Sequence, residues 1–170
     1  MMMGPDQLGR LLDTHAAGLT LYARQWCAAP EDAVQEAFLK LAGRSAPPPD
    51  VVGWLYTVTR NLARTAGRCE RRRRRHEAVA AARRPGWFVR VEGGGVDGEK
   101  AAAALEGLPP DEREAVVARI WGGLNFEQIA GLLGTSAATA HRRFTAGLEL
   151  LRERLSVPCP NSRSTPNSPR

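Results

Sequence analysis

A chain of 170 residues with 43% hydrophobic and 25% charged side chains has room for one domain or two small ones and is too apolar to be a disordered polypeptide. Its 24 Lys and Arg against 18 Asp and Glu leave a formal charge of +6, which favours a polyanionic partner: DNA, RNA or an anionic membrane surface. No run approaches the apolar length of a membrane helix and Asp6 stands where a signal peptide would be basic, so a cytoplasmic protein without membrane insertion is expected.

The first segment, Asp6 to about Cys27, carries Leu8, Leu11, Leu12, His15, Leu19, Tyr22 and Trp26 at helical spacing and reads as one amphipathic helix. Pro30 suits the first turn of a second helix, where Glu31 and Asp32 complement the positive end and Val34, Ala37, Phe38 and Leu41 form the buried stripe. Asp32, Glu36 and Leu39 are left outside with Gln35 and Lys40 beside them. An exposed leucine among acids is the composition of a docking surface, although a helix that merely obeys its dipole would look the same.

Gly43 to Asp50, with Pro47, Pro48 and Pro49, is a loop, and a long helix follows it. Leu55, Val58, Leu62, Ala66 and Cys69 are predicted on its inner face. Rotation by about 100° per residue gathers Thr57, Arg60, Asn61, Arg64, Arg68, Arg71 and Arg75 on the outer one. The run Arg71 to Arg75 alone would be an ordinary solvated helix end, but Arg60, Arg64 and Arg68 extend the charge into a ridge suited to a phosphate backbone.

The helix can continue to Arg84, after which Pro85, Gly86 and Gly93 to Gly95 break it and mark a linker in which Trp87 and Phe88 suggest anchoring. Ala101 to Leu105 and Asp111 to Trp121 are the next helices, separated by a turn at Leu108, Pro109 and Pro110, with Ala115, Val116 and Ile120 available for burial. Ser156 to Arg170, rich in Pro, Ser and Asn, reads as a disordered tail.

Leu124 to Leu155 has the layout of a helix-turn-helix. Asn125 caps the first helix with Gln128 three residues on, Phe126, Ile129, Ala130 and Leu133 recur at helical spacing, and Gly134 ends it. Ser136 caps the second helix, whose buried stripe is predicted as Ala140, Phe144, Leu148, Leu151 and Leu155. The opposite side then carries Ala138, Thr139, Arg142, Ala146 and Glu149, with His141 and Arg143 on its shoulders. Small residues around Arg142 would let that surface approach base edges while the arginine reaches a guanine or a phosphate; solvated arginines on a plain helical hairpin are the competing reading.

The cysteines Cys27, Cys69 and Cys159 are odd in number and far apart, so neither a disulfide framework nor a zinc site is expected, and Cys69 with His76 is too few ligands for one. No phosphate loop, dinucleotide fingerprint, nucleophile elbow or recognisable Ser, His and Asp spacing is present, and no enzymatic activity, metal or cofactor is assigned.

Three stretches give the chain a resemblance to the bacterial RNA polymerase sigma factors of the extracytoplasmic-function (ECF) type. Glu31-Asp32-Ala33-Val34-Gln35-Glu36-Ala37-Phe38-Leu39-Lys40-Leu41 and Trp54-Leu55-Tyr56-Thr57-Val58-Thr59-Arg60-Asn61-Leu62-Ala63 are similar to sigma region two. Leu108-Pro109-Pro110-Asp111-Glu112-Arg113-Glu114, Phe126-Glu127-Gln128-Ile129-Ala130 and Thr139-Ala140-His141-Arg142-Arg143-Phe144 look like region four. The resemblance implies an all-α fold of two small helical domains joined by a flexible linker: a region-two-like domain over 6–84, a linker over 85–98, a region-four helix-turn-helix domain over 99–155, and the tail over 156–170.

It also implies roles. Asp32, Gln35, Glu36 and Leu39 would dock on the clamp coiled coil of the largest subunit of core RNA polymerase. Arg60, Asn61, Arg64 and Arg68 would serve the minus-ten promoter element, and Gln128, Ala138, Thr139, His141, Arg142 and Arg143 the minus-thirty-five element. Promoter DNA and core polymerase are the implied partners, with an anti-sigma protein as a further one. The loop before the long helix departs from the family in having no aromatic, and His141-Arg142 stands where a basic residue followed by a small one is commoner, so neither promoter sequence is carried over. The rival readings are a free-standing helix-turn-helix regulator binding palindromic DNA, which leaves the acidic helix without a purpose, and an RNA-binding adaptor, which lacks surface aromatics for stacking.

Overall fold

A computed structural model describes residues 4–76 and 98–155, and every regular element among them is a helix. In chain order these are α1 (Pro5–Ala23), α2 (Pro30–Ala42), α3 (Val51–His76), α4 (Gly98–Glu106), α5 (Pro110–Ile120), α6 (Phe126–Leu133) and α7 (Ala137–Leu155). The continuation of α3 to Arg84, the segment with Trp87 and Phe88, Cys159 and the tail beyond Leu155 lie outside the described residues.

Local chemistry sets the ends of these helices. Proline opens α1, α2 and α5, where its missing N–H costs nothing, and Glu31 with Asp32, then Asp111 with Glu112, put negative charge on the positive ends of α2 and α5. Asp50 Oδ1 accepts from the Gly53 amide at 2.9 Å and so caps α3. Asn125 and Gln128 form a reciprocal capping box on α6, with Asn125 Oδ1 accepting from the Gln128 amide at 2.8 Å and Gln128 Oε1 accepting from the Asn125 amide at 2.9 Å. Gly134 ends α6 at φ +66°, the left-handed conformation that favours glycine, and Ser136 Oγ accepts from the Thr139 amide at 3.2 Å to begin α7.

The helices α1, α2 and α3 form one group and α4 to α7 the other, and the two groups meet. Leu19, Tyr22, Phe38 and Leu55 from the first share a continuous apolar cluster with Ala115, Val117, Ile129 and Leu132 from the second. A smaller cluster of Leu105, Leu108 and Val116 closes α4 against α5 and α7. Helix α1 lies so close to the end of α5 that a Cβ added at Gly18 would come within 2.8 Å of both the Trp121 carbonyl oxygen and the Tyr56 hydroxyl.

Several expected faces rotate in the structure. The inner face of α3 is Leu55, Tyr56, Thr59, Ala63 and Gly67, while Ala66 and Cys69 are exposed. Burial follows the i, i+4 row that starts at Leu55 and Tyr56, because Gly67 fits beneath the last turn after α1: a Cβ there would lie 2.0 Å from the Trp26 carbonyl oxygen. On α1, Leu12 is exposed although Leu8, Leu11, Leu19 and Tyr22 face inward. On α5, Ile120 is 51% exposed and the buried positions are Glu114 to Ala118, since this helix is covered by α7 on one side and α1 on another. On α7, Gly147 joins Ala140 as the buried pair, Ala146 is half-buried, and Leu155 is exposed at the end of the helix.

Candidate nucleic-acid interface

The acidic helix presents the surface its spacing predicts. Ala33, Val34, Ala37, Phe38 and Leu41 are buried, and Asp32, Gln35, Glu36 and Leu39 are exposed together on the other side, Leu39 at 59%. Glu31 is drawn toward Arg24 at 3.3 Å and Glu36 pairs with Lys40 at 2.9 Å, both pairs open to solvent. Such pairs contribute little, so the carboxylates stay available to a basic partner.

The basic ridge of α3 is divided by the structure. Asn61, Arg64 and Arg68 are exposed, Arg68 Nη2 donating to the Thr65 hydroxyl at 3.1 Å, and Arg71 to Arg74 continue the charge toward the helix end. Arg74 is held by Glu70. Arg60 is the exception and corrects its expected place on the open face. Its side chain is 18% exposed because it is folded onto α5, where Nη2 donates to Glu114 Oε2 at 3.2 Å and Nε stands 2.5 Å from Glu114 Oε1. Tyr22 Oη donates to the same Oε1 at 2.5 Å.

Glu114 is 4% exposed, so this carboxylate is buried between one cation and one hydroxyl. Burial, the adjacent Glu114 charge and the hydrogen bond to it raise the Tyr22 pKa well above its ordinary value. For Arg60, burial opposes the cation, but the hydrogen bond and charge of Glu114 outweigh it and the pKa is raised.

The second helix of the helix-turn-helix exposes Ala138, His141 and Arg142, with Thr139 half-buried beside them. Arg142 Nη2 donates to Thr139 Oγ1 at 3.3 Å, which keeps the guanidinium over the first turn. His141 lies edge-on to Phe126 with centroids 4.9 Å apart, and the Arg119 guanidinium sits over that ring, 4.9 Å from its centroid. Arg143 departs from the expected shoulder position: it is half-buried and its Nη2 pairs with Asp111 Oδ2 at 2.7 Å, tying α7 to the start of α5. Gln128 is also turned away, since its Oε1 serves the α6 cap while Nε2 donates to Asp50 Oδ1 at 2.9 Å. Of the expected set, Ala138, Thr139, His141 and Arg142 thus remain together on the open side of α7.

Residues 99–151, α4 to α7, match the sigma-70 region 4 family. The RNA polymerase sigma factor CarQ of Myxococcus xanthus is 35% identical over 133 residues, covering 74% of this chain and 74% of CarQ. The ECF RNA polymerase sigma factor SigE of Mycolicibacterium smegmatis is 32% identical over 138 residues, 74% of this chain and 51% of that protein. The chain belongs to the ECF-type RNA polymerase sigma factors.

A probable sigma factor of Xanthomonas campestris pv. campestris, RfaY, is 34% identical over 137 residues, which is 75% of this chain but 34% of that protein, so the chain spans about a third of the length of this relative. Among solved structures, the sigma factor RpoE in complex with the anti-sigma factor NepR from Bartonella quintana superposes with a TM-score of 0.68 at 23% identity, over 92% of this chain and 100% of that one. CnrH in complex with the cytosolic domain of CnrY gives 0.59 at 21% identity, over 92% of each chain. These two establish the fold alone.

Within this sigma factor, hydrophobic periodicity does not mark Glu114, since an acid in the Asp111-Glu112-Arg113-Glu114 run reads as a solvated helix start. Asp50 had a usable signal, an acid just before a helix, but its second partner lies 78 residues away in sequence. None of the described helices is long and apolar enough to cross a membrane.

Proposed function

We propose that the chain binds core RNA polymerase and directs promoter recognition and transcription initiation. The observation that carries this reading is the placement of a region-four helix-turn-helix, with Arg142 exposed among small side chains, in the same chain as an acidic helix whose Asp32, Gln35, Glu36 and Leu39 form one open face. The acidic face is assigned to the clamp coiled coil of the largest polymerase subunit. Asn61, Arg64 and Arg68 are assigned to the minus-ten region, and Ala138, Thr139, His141 and Arg142 to the minus-thirty-five element. In this reading the division is 6–84 and 99–155, with 85–98 as the connection, and the protein acts in the cytoplasm without chemistry of its own.

Electrostatics suits the division of labour. Arginines one helical turn apart match phosphates and give affinity without sequence, whereas one arginine among small residues can enter a groove and give selectivity. An anti-sigma protein is a further proposed partner, supported by the likeness in fold to RpoE, which was solved in complex with the anti-sigma factor NepR.

Run-off transcription with purified core polymerase across a promoter library tests the reading. Promoter-specific transcripts that require this chain are expected, together with its co-purification with core enzyme. Tight binding to promoter DNA without core enzyme, and no transcript with it, would instead assign a free-standing regulator.

A further inference from the structure

The contact that buries Arg60 joins the two halves of the chain. Tyr22 belongs to α1, Arg60 to α3 and Glu114 to α5, and a second link, Gln128 Nε2 to Asp50 Oδ1 at 2.9 Å, ties α6 to the start of α3. An interface made to stay closed is normally apolar at its centre. This one has apolar side chains from both halves, yet among them it places a carboxylate at 4% exposure against a guanidinium and leaves the Tyr56 hydroxyl, packed by Gly18 and Gly122, buried with no hydrogen-bond partner among the described residues. A buried ion pair recovers little more than the hydration it gives up, so this pair specifies one closed arrangement while adding little to the stability that the shared apolar cluster supplies.

Arg60 is also one turn before Arg64 and two before Arg68, on the same row of α3. If the halves part, its guanidinium completes the ridge. A phosphate can then replace Glu114 as its partner, charge for charge, while Glu114 gains water. We infer that Arg60 and Glu114 form an intramolecular latch, in which the carboxylate occupies the arginine as a phosphate would and the closed chain withholds it from nucleic acid. This inference rests on the sigma-factor reading only for its purpose, since the competition itself is between Glu114 and any phosphate backbone.

The test uses the full chain without polymerase, so its outcome is independent of run-off activity. Dyes are placed at the exposed positions Asp13→Cys and Glu153→Cys, with Cys69→Ser and Cys159→Ser, and energy transfer is read alongside binding to a duplex of arbitrary sequence over a salt series. Glu114→Gln is expected to lower energy transfer and to tighten duplex binding about tenfold, with the salt slope steeper by about one phosphate contact. Adding Arg60→Gln should keep the chain open but abolish both gains, which a merely structural role for Glu114 does not predict.

Unchanged transfer and slope in a folded Glu114→Gln chain would overturn the latch, as would gains that persist without Arg60. If that variant loses its helical signal, the chain with Arg60 and Glu114 intact decides: transfer should fall as duplex is added, and fall less for Arg60→Lys, which cannot offer a fork to phosphate or carboxylate. Transfer that stays constant through saturation would reject the latch.

Discussion

Asp50 and Gln128 are joined by a hydrogen bond of 2.9 Å between the loop before α3 and the first helix of the helix-turn-helix, and the Asp50 oxygen that accepts it also caps α3 through the Gly53 amide. One carboxylate thus starts the long helix and tethers the other half to it. Asp50→Ala should destabilise the chain by about 1 kcal/mol, the usual cost of an N-cap, whereas Asp50→Asn keeps an acceptor oxygen and should lose less than half of that. Urea melts of the two variants check this, and equal losses would transfer the effect from the cap to the charge.

Tyr56 provides a pH prediction whose sign can be worked out. Its hydroxyl is buried without a hydrogen-bond partner among the described residues, so Tyr56→Phe at pH 7 should be neutral or stabilising by about 1 kcal/mol. Burial holds the Tyr56 and Tyr22 pKa values above the ordinary value of 10.0. Above about pH 10 the unfolded chain releases these two protons while the folded chain keeps them, so the unfolded state binds fewer protons and stability falls as pH rises, by about 1.4 kcal/mol per pH unit for each group. Tyr56→Phe should therefore halve the alkaline loss due to the pair. The Cys27 thiol, raised chiefly by burial, acts alike in both proteins. Melts between pH 8 and about 11.5 read the difference, and parallel curves would remove Tyr56 from the titration.

The elements were legible because their signals are local. Prolines, Asn125, Gly134 and Ser136 mark ends, and the stripe of α2 follows from i, i+3 and i+4 spacing, whereas on α6 the spacing finds Ile129 and Ala130 but not the buried Leu132. The faces of α3, α5 and α7 were less so, because each is covered from more than one direction and glycines at 67 and 147 act as contact points. A Cβ at Gly147 would meet Val116 Cγ2 at 2.7 Å, yet no periodicity count scores glycine as core. The exposed candidates Asp32, Gln35, Glu36, Leu39, Asn61, Arg64, Arg68, Ala138, His141 and Arg142 lie where helical rotation puts them. Arg60 and Arg143 do not, each having found a partner on another helix, Glu114 and Asp111, and Gln128 is turned to Asp50 in the loop before α3. Rotation about one axis cannot foresee a partner 54 or 78 residues away.

For the acidic face, Asp32→Ala with Glu36→Ala should leave the fold nearly intact. Glu36 loses only an exposed pair with Lys40, and Glu31 remains to complement the positive end of α2, so the change in stability should stay under about 1 kcal/mol. Affinity for core polymerase should fall about tenfold, with a weaker salt dependence, as expected when interfacial charges are lost. Titration of labelled chain with core enzyme measures it. Undiminished affinity in the folded double variant would move the docking site elsewhere.

The recognition helix and the basic ridge should fail in different ways when probed in the polymerase holoenzyme. Arg64 and Arg68 are exposed on one row of α3 and are free to meet phosphates, so replacing both with alanine should weaken binding on every promoter alike and flatten the salt slope by about one unit per lost contact. Arg142 stands alone among Ala138, Thr139 and His141, steadied by its 3.3 Å hydrogen bond to the Thr139 hydroxyl. A guanidinium held in that way over small neighbours can present two parallel donors to the edge of a guanine. Arg142→Ala should then cost about 1 to 3 kcal/mol on the preferred minus-thirty-five sequence and much less on others, so that discrimination is lost at one or two bases. Thr139→Val, which removes the supporting hydroxyl but keeps the shape, should give a smaller loss at the same bases. If Arg142 meets only phosphate, Arg142→Ala will instead weaken all sequences equally and flatten the salt slope as the ridge variants do. A promoter-library titration at two salt concentrations separates these outcomes, and a uniform loss would take Arg142 out of base readout while leaving the assignment of α7 to DNA intact.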